Sequence, residues 1–200
     1  MCEFFRLAFT AIEYSNRGTT YGQLQRYEQA LSDLTQGIRL DPEFPLAYFN
    51  RGNTYRELGR YEEALTDYTR SICLGLNDAK TYTLRGVIYT SMQRDKKALT
   101  DYTQAIRLDP NCIQAYLLRS LTYYKLRRYK KALTDYTQAI RLDPLDPHTY
   151  LGRGNTYRDD GQYEKALADY TQAIHLGPLD AEAYFNRGLT KEGDWRTKAP

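Results

Sequence analysis

Apolar and small residues fall on single faces of two successive helices, and this pair of patterns recurs along the chain. In one unit, Tyr48, Gly52 and Tyr55 follow the spacing i, i+4, i+7, which predicts a first helix. Residues 61–72 place tyrosine, alanine, leucine and isoleucine on another helical face and predict a second helix. Gly59 lies between the two as a helix breaker. Each unit is therefore predicted to be a helical hairpin.

The unit has a period of 34 residues, because the chain matches itself almost throughout when it is shifted by that length. Residues 98–110 recur letter for letter as residues 132–144. A period of this size predicts a stacked array of small units rather than one central core. We expect one array over 13–190, preceded by a lead-in to the first helix at 1–12 and followed by a polar tail at 191–200. The units of the array lie near 13–46, 47–80, 81–114, 115–148 and 149–182, with a partial unit at 183–190.

Small residues recur at fixed places inside the predicted helices. The middle of the first helix carries Gly18, Gly52, Gly86, Ser120, Gly154 and Gly188. Glycine costs a helix about 1 kcal/mol relative to alanine, so its recurrence indicates a close approach of the partner helix that offsets this loss. Tyrosines are expected to fill the remaining space, with their hydroxyls reaching polar partners or water.

Composition and charge argue against several classes of protein. The hydrophobic fraction of 42% argues against disorder. The sequence contains no run of about eighteen apolar residues, so no membrane-spanning helix is predicted. The net charge of +3 is too small to indicate nucleic-acid binding. Cys2, Cys73 and Cys112 form neither a disulfide framework nor a zinc motif, which indicates free thiols in a reducing compartment. We therefore expect a cytoplasmic protein.

The residues that could carry catalysis lie in unpromising settings. His148 and His175 have no cysteine or second histidine at metal-ligand spacing. The glycines Gly152 and Gly154 suggest a phosphate-binding loop, but no predicted strand precedes them, and the second is the packing glycine of its hairpin. No nucleophile has a recognisable partner. We therefore predict a protein that is not an enzyme and holds no cofactor or metal.

The repeated positions resemble those of the tetratricopeptide repeat (TPR) family. In the second unit the matching motif reads Tyr48-x3-Gly52-x2-Tyr55, then Tyr61-x2-Ala64-x3-Tyr68-x2-Ser71. The similarity extends over five full units and the first helix of a sixth. Pentatricopeptide arrays have a period one residue longer and lack this set of positions. The resemblance implies an all-α fold: a right-handed α-α superhelix (solenoid) of antiparallel helical hairpins.

One regular position departs from the family pattern. TPR units usually carry leucine directly before the packing glycine, whereas here the residue is Arg17, Arg51, Arg85, Arg119, Arg153 or Arg187. An aspartate recurs equally regularly in the second helices, as Asp33, Asp67, Asp101, Asp135 and Asp169. We predict a ladder of Arg–Asp ion pairs that runs between neighbouring hairpins and supports the scaffold.

The resemblance further implies a concave groove lined by the first helices. Side chains on the face opposite the packing glycine vary from unit to unit, which indicates a task other than folding. We predict that a peptide or helical segment binds there through Asn16, Phe49, Asn50, Asn53, Arg56, Leu84, Val87, Leu117, Leu118, Leu121, Tyr124, Asn155 and Arg158. The leucines would hold apolar anchors, unless they pack on neighbouring helices, and the asparagines would hold an extended peptide backbone.

These features predict a protein–protein interaction scaffold. A chaperone-tail carboxylate clamp is disfavoured, since only Asn50 and Lys80 fit it. A basic edge at the hairpin tips would attract acidic flanks of the partner through Lys96, Lys97, Arg127, Arg128, Lys130 and Lys131.

Two alternatives stay open. The array could self-assemble through its ends into a homo-oligomer, because the pattern fails after Gly188 and Gly193-Asp194 is expected to end the last helix. The chain could also be the recruitment arm of a larger enzyme, with Trp195 belonging to a further helix.

Overall fold

The computed structural model describes the backbone of residues 2–198 and the side chains of residues 10–191. This part of the chain contains eleven helices and no strand, so the predicted all-α fold is confirmed. The side chain of Trp195 lies outside the described residues. The helices are α1 (Cys2–Gln23), α2 (Tyr27–Leu40), α3 (Pro45–Glu57), α4 (Tyr61–Cys73), α5 (Ala79–Ser91), α6 (Asp95–Leu108), α7 (Ile113–Lys125), α8 (Tyr129–Leu142), α9 (Pro147–Asp159), α10 (Tyr163–Leu176) and α11 (Ala181–Lys198).

Successive helices pair as hairpins, in which the odd-numbered helix is the first helix and the even-numbered helix is the second. The chain divides after Leu108 into two compact units, with α1–α6 in unit 1 and α7–α11 in unit 2. The sequence, in contrast, predicts one uninterrupted array over 13–190. In a repeat protein each hairpin contacts only its neighbours, so no single core unites all of them.

Both terminal helices are longer than the repeat predicts. α1 begins at Cys2, so residues 2–12 are part of the first helix and not a lead-in to it. These residues contain no glycine or proline that would interrupt the helix. α11 continues to Lys198, past the predicted helix end at Gly193 and Asp194. One glycine inside a helix costs only about 1 kcal/mol relative to alanine and does not by itself end it.

The turn inside each hairpin depends on one residue with a left-handed backbone conformation. Gly59 (φ 70°) and Gly161 (φ 77°) adopt it with no side-chain penalty. Gln25, Gln93 and Arg127 adopt it at the same repeat position, with φ of 59°, 57° and 55°. A side chain in this conformation costs roughly 1–2 kcal/mol. The packing of the two helices therefore imposes the turn even where glycine is absent.

The packing glycines allow the second helix to approach the first closely. A Cβ added to Gly52 would lie 3.1 Å from the ring of Tyr68, and one added to Gly86 would lie 2.6 Å from the ring of Tyr102. Both tyrosines are completely buried. The predicted close approach is confirmed at these hairpins.

An Arg–Asp ion pair joins the two helices of each hairpin. Nε and Nη2 of Arg85 in α5 donate to the two carboxylate oxygens of Asp101 in α6, both at 2.8 Å. The same geometry occurs in Arg17–Asp33, Arg51–Asp67, Arg119–Asp135 and Arg153–Asp169. The predicted pairs exist, but the prediction that they run between neighbouring hairpins is wrong. Their 16-residue separation brings each arginine level with the aspartate of its own second helix.

The same arginines contact the preceding hairpin through their remaining nitrogen. Nη1 of Arg85 donates to Oγ1 of Thr69 in α4 at 3.1 Å. The equivalent bonds are Arg51–Thr35 in unit 1 and Arg153–Thr137 in unit 2, each at 3.2 Å. Hydrogen bonds from a charged donor to a threonine hydroxyl therefore link neighbouring hairpins at this repeat position. In unit 1 an exposed ion pair also links two hairpins, because Nη2 of Arg94 lies 2.6 Å from the carboxylate of Glu62 in α4.

Each guanidinium also lies against tyrosine rings of its own helix. Cζ of Arg85 is 5.3 Å from the ring centroid of Tyr82 and 6.0 Å from that of Tyr89. Only 15% of the Arg85 side chain and 5% of the Asp101 side chain are exposed. Burial disfavours the charged guanidinium, but the hydrogen bond and the charge of Asp101 outweigh it and raise the pKa of Arg85. The guanidinium therefore stays protonated although it is largely buried.

We predict that Asp101→Ala lowers the free energy of unfolding by about 3–5 kcal/mol, because it leaves a buried guanidinium without its counter-ion. Urea unfolding followed by circular dichroism measures the loss. Asp33→Ala is the matched control, since 58% of its partner Arg17 is exposed and water can solvate that cation. A loss below about 1 kcal/mol for Asp101→Ala would mean that the pair behaves as a solvated surface feature.

Candidate functional site

The faces of the first helices carry two depressions, one in each compact unit. In unit 1, a depression of about 420 Å³ is lined by residues of α1, α3 and the start of α5, among them Thr19, Gln23, Asn50, Asn53, Glu57 and Lys80. In unit 2, a hollow of about 230 Å³ lies between α7 and α9. Their chemistry differs, because the first has a mixed polar and apolar lining and the second is almost entirely apolar.

Amide and ammonium groups supply much of the polar surface of the unit 1 depression, beside the rings of Tyr27 and Phe49. Oδ1 of Asn53 accepts a hydrogen bond from the buried hydroxyl of Tyr68 at 2.7 Å, which orients the amide. Because this bond uses the oxygen, the Nδ2 hydrogens are the donors that Asn53 can offer to a ligand. Nζ of Lys80 lies 5.6 Å from the ring centroid of Phe49 and places a cation at the same depression. The depression thus presents N–H donors and a cation beside the carboxylate of Glu57.

The unit 2 hollow is almost entirely apolar. It is lined by Leu117 and Leu121 of α7, by Gly152 of α9 and by Tyr136 of α8. Leu121 is 51% exposed although it is a large apolar residue. The carboxylate of Asp146 at the rim already caps α9, where it accepts the backbone N–H of Thr149 at 3.1 Å. The hollow is therefore open to water and has little polar chemistry of its own.

Two departures from the repeat create this hollow. The second-helix tyrosines Tyr68, Tyr102 and Tyr170 each pack on a glycine of their own first helix. At that position α7 carries Ser120, and Tyr136 lies instead against α9, where a Cβ added to Gly152 would be 2.8 Å from the tyrosine hydroxyl. The repeat position of Gly152 holds Asn50, Leu84 and Leu118 in other units. α7 thus carries serine in place of a packing glycine, α9 carries a glycine in addition to its packing glycine Gly154, and the ring of Tyr136 lies against this additional glycine.

Tyr136 is a residue of the hollow that sequence reasoning missed, whereas Gly152 lies on the predicted groove face of its unit. The available signal is the coincidence of two exceptions, Ser120 in place of a packing glycine and Gly152 in place of a larger side chain. Burial raises the pKa of Tyr136, although a hydrogen bond with Ser120 acts in the opposite direction. Its hydroxyl therefore keeps its proton at neutral pH.

Phe49 lines the unit 1 depression, but most of its side chain is buried. It is only 8% exposed, and its ring centroid lies 5.9 Å from that of Tyr68 in the buried cluster of unit 1. The neighbouring Asn50 is half-buried and lines the depression. Leu84 is also half-buried and packs against the same cluster. A helix face is broader than one row of side chains, so the sequence pattern assigns Phe49 and Asn50 to the same surface.

The other predicted groove residues of unit 1 lie in different settings. Asn16 is exposed, Val87 is half-buried, and neither lines the depression. Nη2 of Arg56 pairs with the carboxylate of Glu57 at 2.5 Å. In unit 2, Leu117 and Leu121 come together in the hollow, whereas Leu118 is half-buried beside them in the chain.

Tyr124 and Arg158, which the sequence predicts to bind a partner, contact a carboxylate of the protein itself. The hydroxyl of Tyr124 donates to Oδ2 of Asp159 at 2.6 Å, and Nε of Arg158 donates to Oδ1 of the same carboxylate at 3.0 Å. Burial, together with the hydrogen bond to Asp159, raises the pKa of Tyr124 to about 12. The tyrosine therefore remains a donor at neutral pH and links α7 to α9.

Asn155 also forms hydrogen bonds with other residues of the protein. Its Oδ1 accepts from the hydroxyl of Tyr170 at 2.8 Å and from Nδ2 of Asn186 at 3.1 Å. Nη1 of Arg158 donates to Oδ1 of Asn186 at 3.2 Å. These bonds join α9, α10 and α11, so Asn155 and Arg158 take part in helix packing, and their role in binding a partner stays a prediction.

The six residues of the predicted basic edge are all exposed. In unit 1, Lys96 and Lys97 lie in the first turn of α6. In unit 2, a shallow depression of about 310 Å³ is lined by Arg127, Arg128, Tyr129, Lys130, Lys131 and Asp160. The first turn of α8 carries no acidic residue. Unit 2 therefore concentrates positive charge at the turn between α7 and α8.

Two negative findings concern the described part of the chain. Among residues 2–198, no helix is both long enough and apolar enough to cross a membrane. Among the side chains that the structure describes, no three histidine, cysteine, aspartate or glutamate residues form a group that could hold a metal ion.

Helical hairpins of uniform length, with packing glycines inside and open depressions on the first helices, define an α-helical repeat protein. Family models described as TPR or tetratricopeptide repeats match residues 16–76, 79–112, 121–159 and 154–193. The chain belongs to the tetratricopeptide repeat family, as its motifs predict. No curated protein matches the sequence.

Solved structures with the same fold cover most of the chain. The crystal structure of YrrB, described as a TPR protein with an unusual peptide-binding site, has a TM-score of 0.80 and 23% identity, and the match covers 90% of this chain and 92% of YrrB. A crystal structure of MamA has a TM-score of 0.79 and 20% identity over 86% of this chain and 94% of its own. MamA from Desulfovibrio magneticus RS-1 has a TM-score of 0.79 and 21% identity, with 86% and 97% covered. At these identities the likeness establishes the fold alone.

Proposed function

We propose that the protein is a protein–protein interaction scaffold that holds segments of a partner against the faces of its first helices and performs no chemistry of its own. The observation that supports this most directly is the apolar hollow at Leu117 and Leu121, where Leu121 is 51% exposed. Open apolar surface of this kind marks interaction sites on soluble proteins. The similar structure of YrrB is described as containing a peptide-binding site, which supports the same use of the fold here.

The unit 2 hollow suits one apolar side chain of the partner. Its volume of about 230 Å³ is below the roughly 300–1,000 Å³ of pockets that enclose small molecules. A leucine, isoleucine or methionine that enters it would leave water together with the exposed part of Leu121. Burial of such a side chain contributes about 1.5–3 kcal/mol. The partner segment is therefore expected to carry one apolar anchor for this position.

The unit 1 depression suits an extended peptide backbone. Asn50 and Asn53 can donate N–H groups to peptide carbonyls, and such contacts do not depend on the side chains of the peptide. Lys80 adds a cation that can pair with a carboxylate of the partner. These groups favour recognition of a chain with an acidic residue rather than of a purely apolar ligand.

The basic residues of unit 2 would act on the rate of association. Arg127, Arg128, Lys130 and Lys131 are exposed and surround one depression. Charges of this kind attract acidic partners over distances comparable with the Debye length and mainly raise the association rate. Acidic residues that flank the apolar anchor would complete the chemistry of the partner.

We predict that Leu121→Glu weakens the binding of peptides that use the unit 2 hollow by about 10–100-fold, because the apolar anchor loses about 1.5–3 kcal/mol of burial. Peptides are first selected from a random display library against the native chain, where a recurring apolar residue is expected. Isothermal titration of the selected peptides then compares the variants.

Leu179→Glu is the matched control for this experiment. Leu179 is 96% exposed in the segment before α11 and does not line the hollow, so its replacement should leave the affinities unchanged. Selected peptides that bind Leu121→Glu as tightly as the native chain would remove the hollow from the proposal. Circular dichroism of each variant checks that the helices remain intact.

We predict that Asn50→Ala weakens peptides bound in the unit 1 depression by about 3–10-fold, the effect of one hydrogen bond of about 0.5–1.5 kcal/mol. The loss should be similar for peptides of different sequence, since the contact is to the backbone. Asn16→Ala is the control, because Asn16 occupies the same repeat position outside the depression. Equal losses for the two variants, or a loss confined to one peptide sequence, would contradict backbone recognition.

A further inference from the structure

One tyrosine of the second helix donates its hydroxyl hydrogen to an asparagine of the first helix in two of the hairpins. These bonds are Tyr68–Asn53 at 2.7 Å and Tyr170–Asn155 at 2.8 Å. The corresponding tyrosine of α8 is Tyr136, and α7 carries Leu121 at the position of the asparagines. Leucine has no acceptor, so the hydroxyl of Tyr136 lacks the amide that these two counterparts bind.

The hydroxyl of Tyr136 lies beside the unit 2 hollow instead. A Cβ added to Gly152 would be 2.8 Å from this hydroxyl, and both residues line the hollow. Because Gly152 has no side chain, the space next to the hydroxyl stays open. Tyr136 is only 3% exposed, whereas Leu121 is 51% exposed. The hydroxyl is therefore a polar group at the inner end of a hollow whose walls are almost entirely apolar.

The oxygen of Tyr136 keeps its capacity to accept a hydrogen bond. Ser120 hydrogen-bonds with Tyr136, but it donates its own hydroxyl hydrogen to the backbone oxygen of Leu117 at 2.7 Å. A serine hydroxyl has one hydrogen, so Tyr136 is the donor in its bond with Ser120. The lone pairs of the tyrosine oxygen therefore remain available to a donor that enters the hollow.

The polar groups at the rim of the hollow are already used. Oδ1 of Asp146 accepts the backbone N–H of His148, and Oδ2 accepts the backbone N–H of Thr149, both at 3.1 Å. The hydroxyl of Thr149 donates to the same carboxylate. The side chain of His148 is exposed to water. Among the described side chains, the inner part of the hollow thus offers one acceptor, at Tyr136, and no spare donor.

We infer that the hollow selects a tryptophan of the partner, whose indole N–H donates to the hydroxyl oxygen of Tyr136. This inference rests on the function proposed above and specifies the apolar anchor of that partner. Tryptophan combines a large apolar surface with an N–H that only donates. Because the hollow is open at Leu121, the rest of the indole can lie against that side chain.

Other anchors match the hollow less well. A leucine would bury the same apolar walls, but it would exclude water from the Tyr136 oxygen without supplying a donor, and an unpaired buried acceptor is costly. A tyrosine could donate to that oxygen, but its own oxygen would find no spare donor at the inner end of the hollow. The preference for tryptophan therefore depends on one atom of the protein, which can be removed.

The test uses the full chain with isotope-labelled leucine methyl groups and small probes that each carry one side chain. The first probe is N-acetyl-tryptophanamide. The second is its benzothienyl analogue, in which sulfur replaces the indole N–H, and the third is N-acetyl-leucinamide. Chemical-shift titration of the methyl groups of Leu117 and Leu121 measures each affinity. We expect the tryptophan probe to bind about 3–10-fold more tightly than the benzothienyl probe, the effect of one hydrogen bond.

Two variants show whether Tyr136 is the acceptor. Tyr136→Phe keeps the ring and removes the oxygen, so it should abolish the preference for the tryptophan probe and leave the affinity for the benzothienyl probe unchanged. Tyr68→Phe is the matched control, because it removes the hydroxyl at the same repeat position in unit 1. This control should retain the full preference. Circular dichroism of both variants checks that the helices remain intact.

Several results would overturn the inference. They are the absence of saturable methyl shifts with the tryptophan probe, equal binding of the tryptophan and benzothienyl probes, and a preference that persists in Tyr136→Phe. Tighter binding of the leucine probe than of the tryptophan probe would also overturn it and would make the hollow an aliphatic site. The proposed function fails on a different result, namely that display-selected peptides bind Leu121→Glu as tightly as they bind the native chain.

Discussion

The Arg–Asp pair buried between the two helices of a hairpin is the interaction on which the rest of the structure depends. The helices α4 and α6 have 13 and 14 residues, a length at which isolated helices are marginal in water. Arg85 contacts its own helix through tyrosine rings, its own second helix through Asp101 and the preceding hairpin through Thr69. A shift of one residue between the helices would leave two buried charges unpaired, which is strongly destabilising. The pair therefore sets the register of the hairpin.

The other polar groups on the first helices fall into two sets: those that form hydrogen bonds inside the protein and those that line an open depression. Asn155, Arg158 and Tyr124 form hydrogen bonds inside unit 2 and help to hold α7, α9, α10 and α11 together. Asn50 and Lys80 line an open depression in unit 1 instead. The proposed function rests on the second set and on the apolar hollow of unit 2.

The helices, hairpins and packing glycines follow from the spacing of small and apolar residues, so the sequence is sufficient to predict them. The partner of each arginine does not follow from the repeat, because Arg51 lies 16 residues before Asp67 and 18 residues after Asp33. Both aspartates are close to Arg51 in sequence, and only the helix geometry shows that Asp67 is its partner. The hydrogen bonds of Asn155 do not follow from the repeat for a related reason: a pattern identifies the face of a helix, whereas hydrogen-bond partners depend on side-chain direction. The hollow beside Gly152 similarly depends on where the ring of Tyr136 lies.

A double-mutant cycle on Arg85 and Asp101 tests the central claim most directly. Arg85→Met keeps much of the side-chain length between the tyrosine rings, and Asp101→Asn keeps the shape of the carboxylate. If the pair sets the register of the hairpin, urea unfolding of the two single variants and the double variant should give a coupling energy of about 1–3 kcal/mol. Changes that add to within about 0.5 kcal/mol would mean that the two residues act independently, and the register would then depend on apolar packing alone.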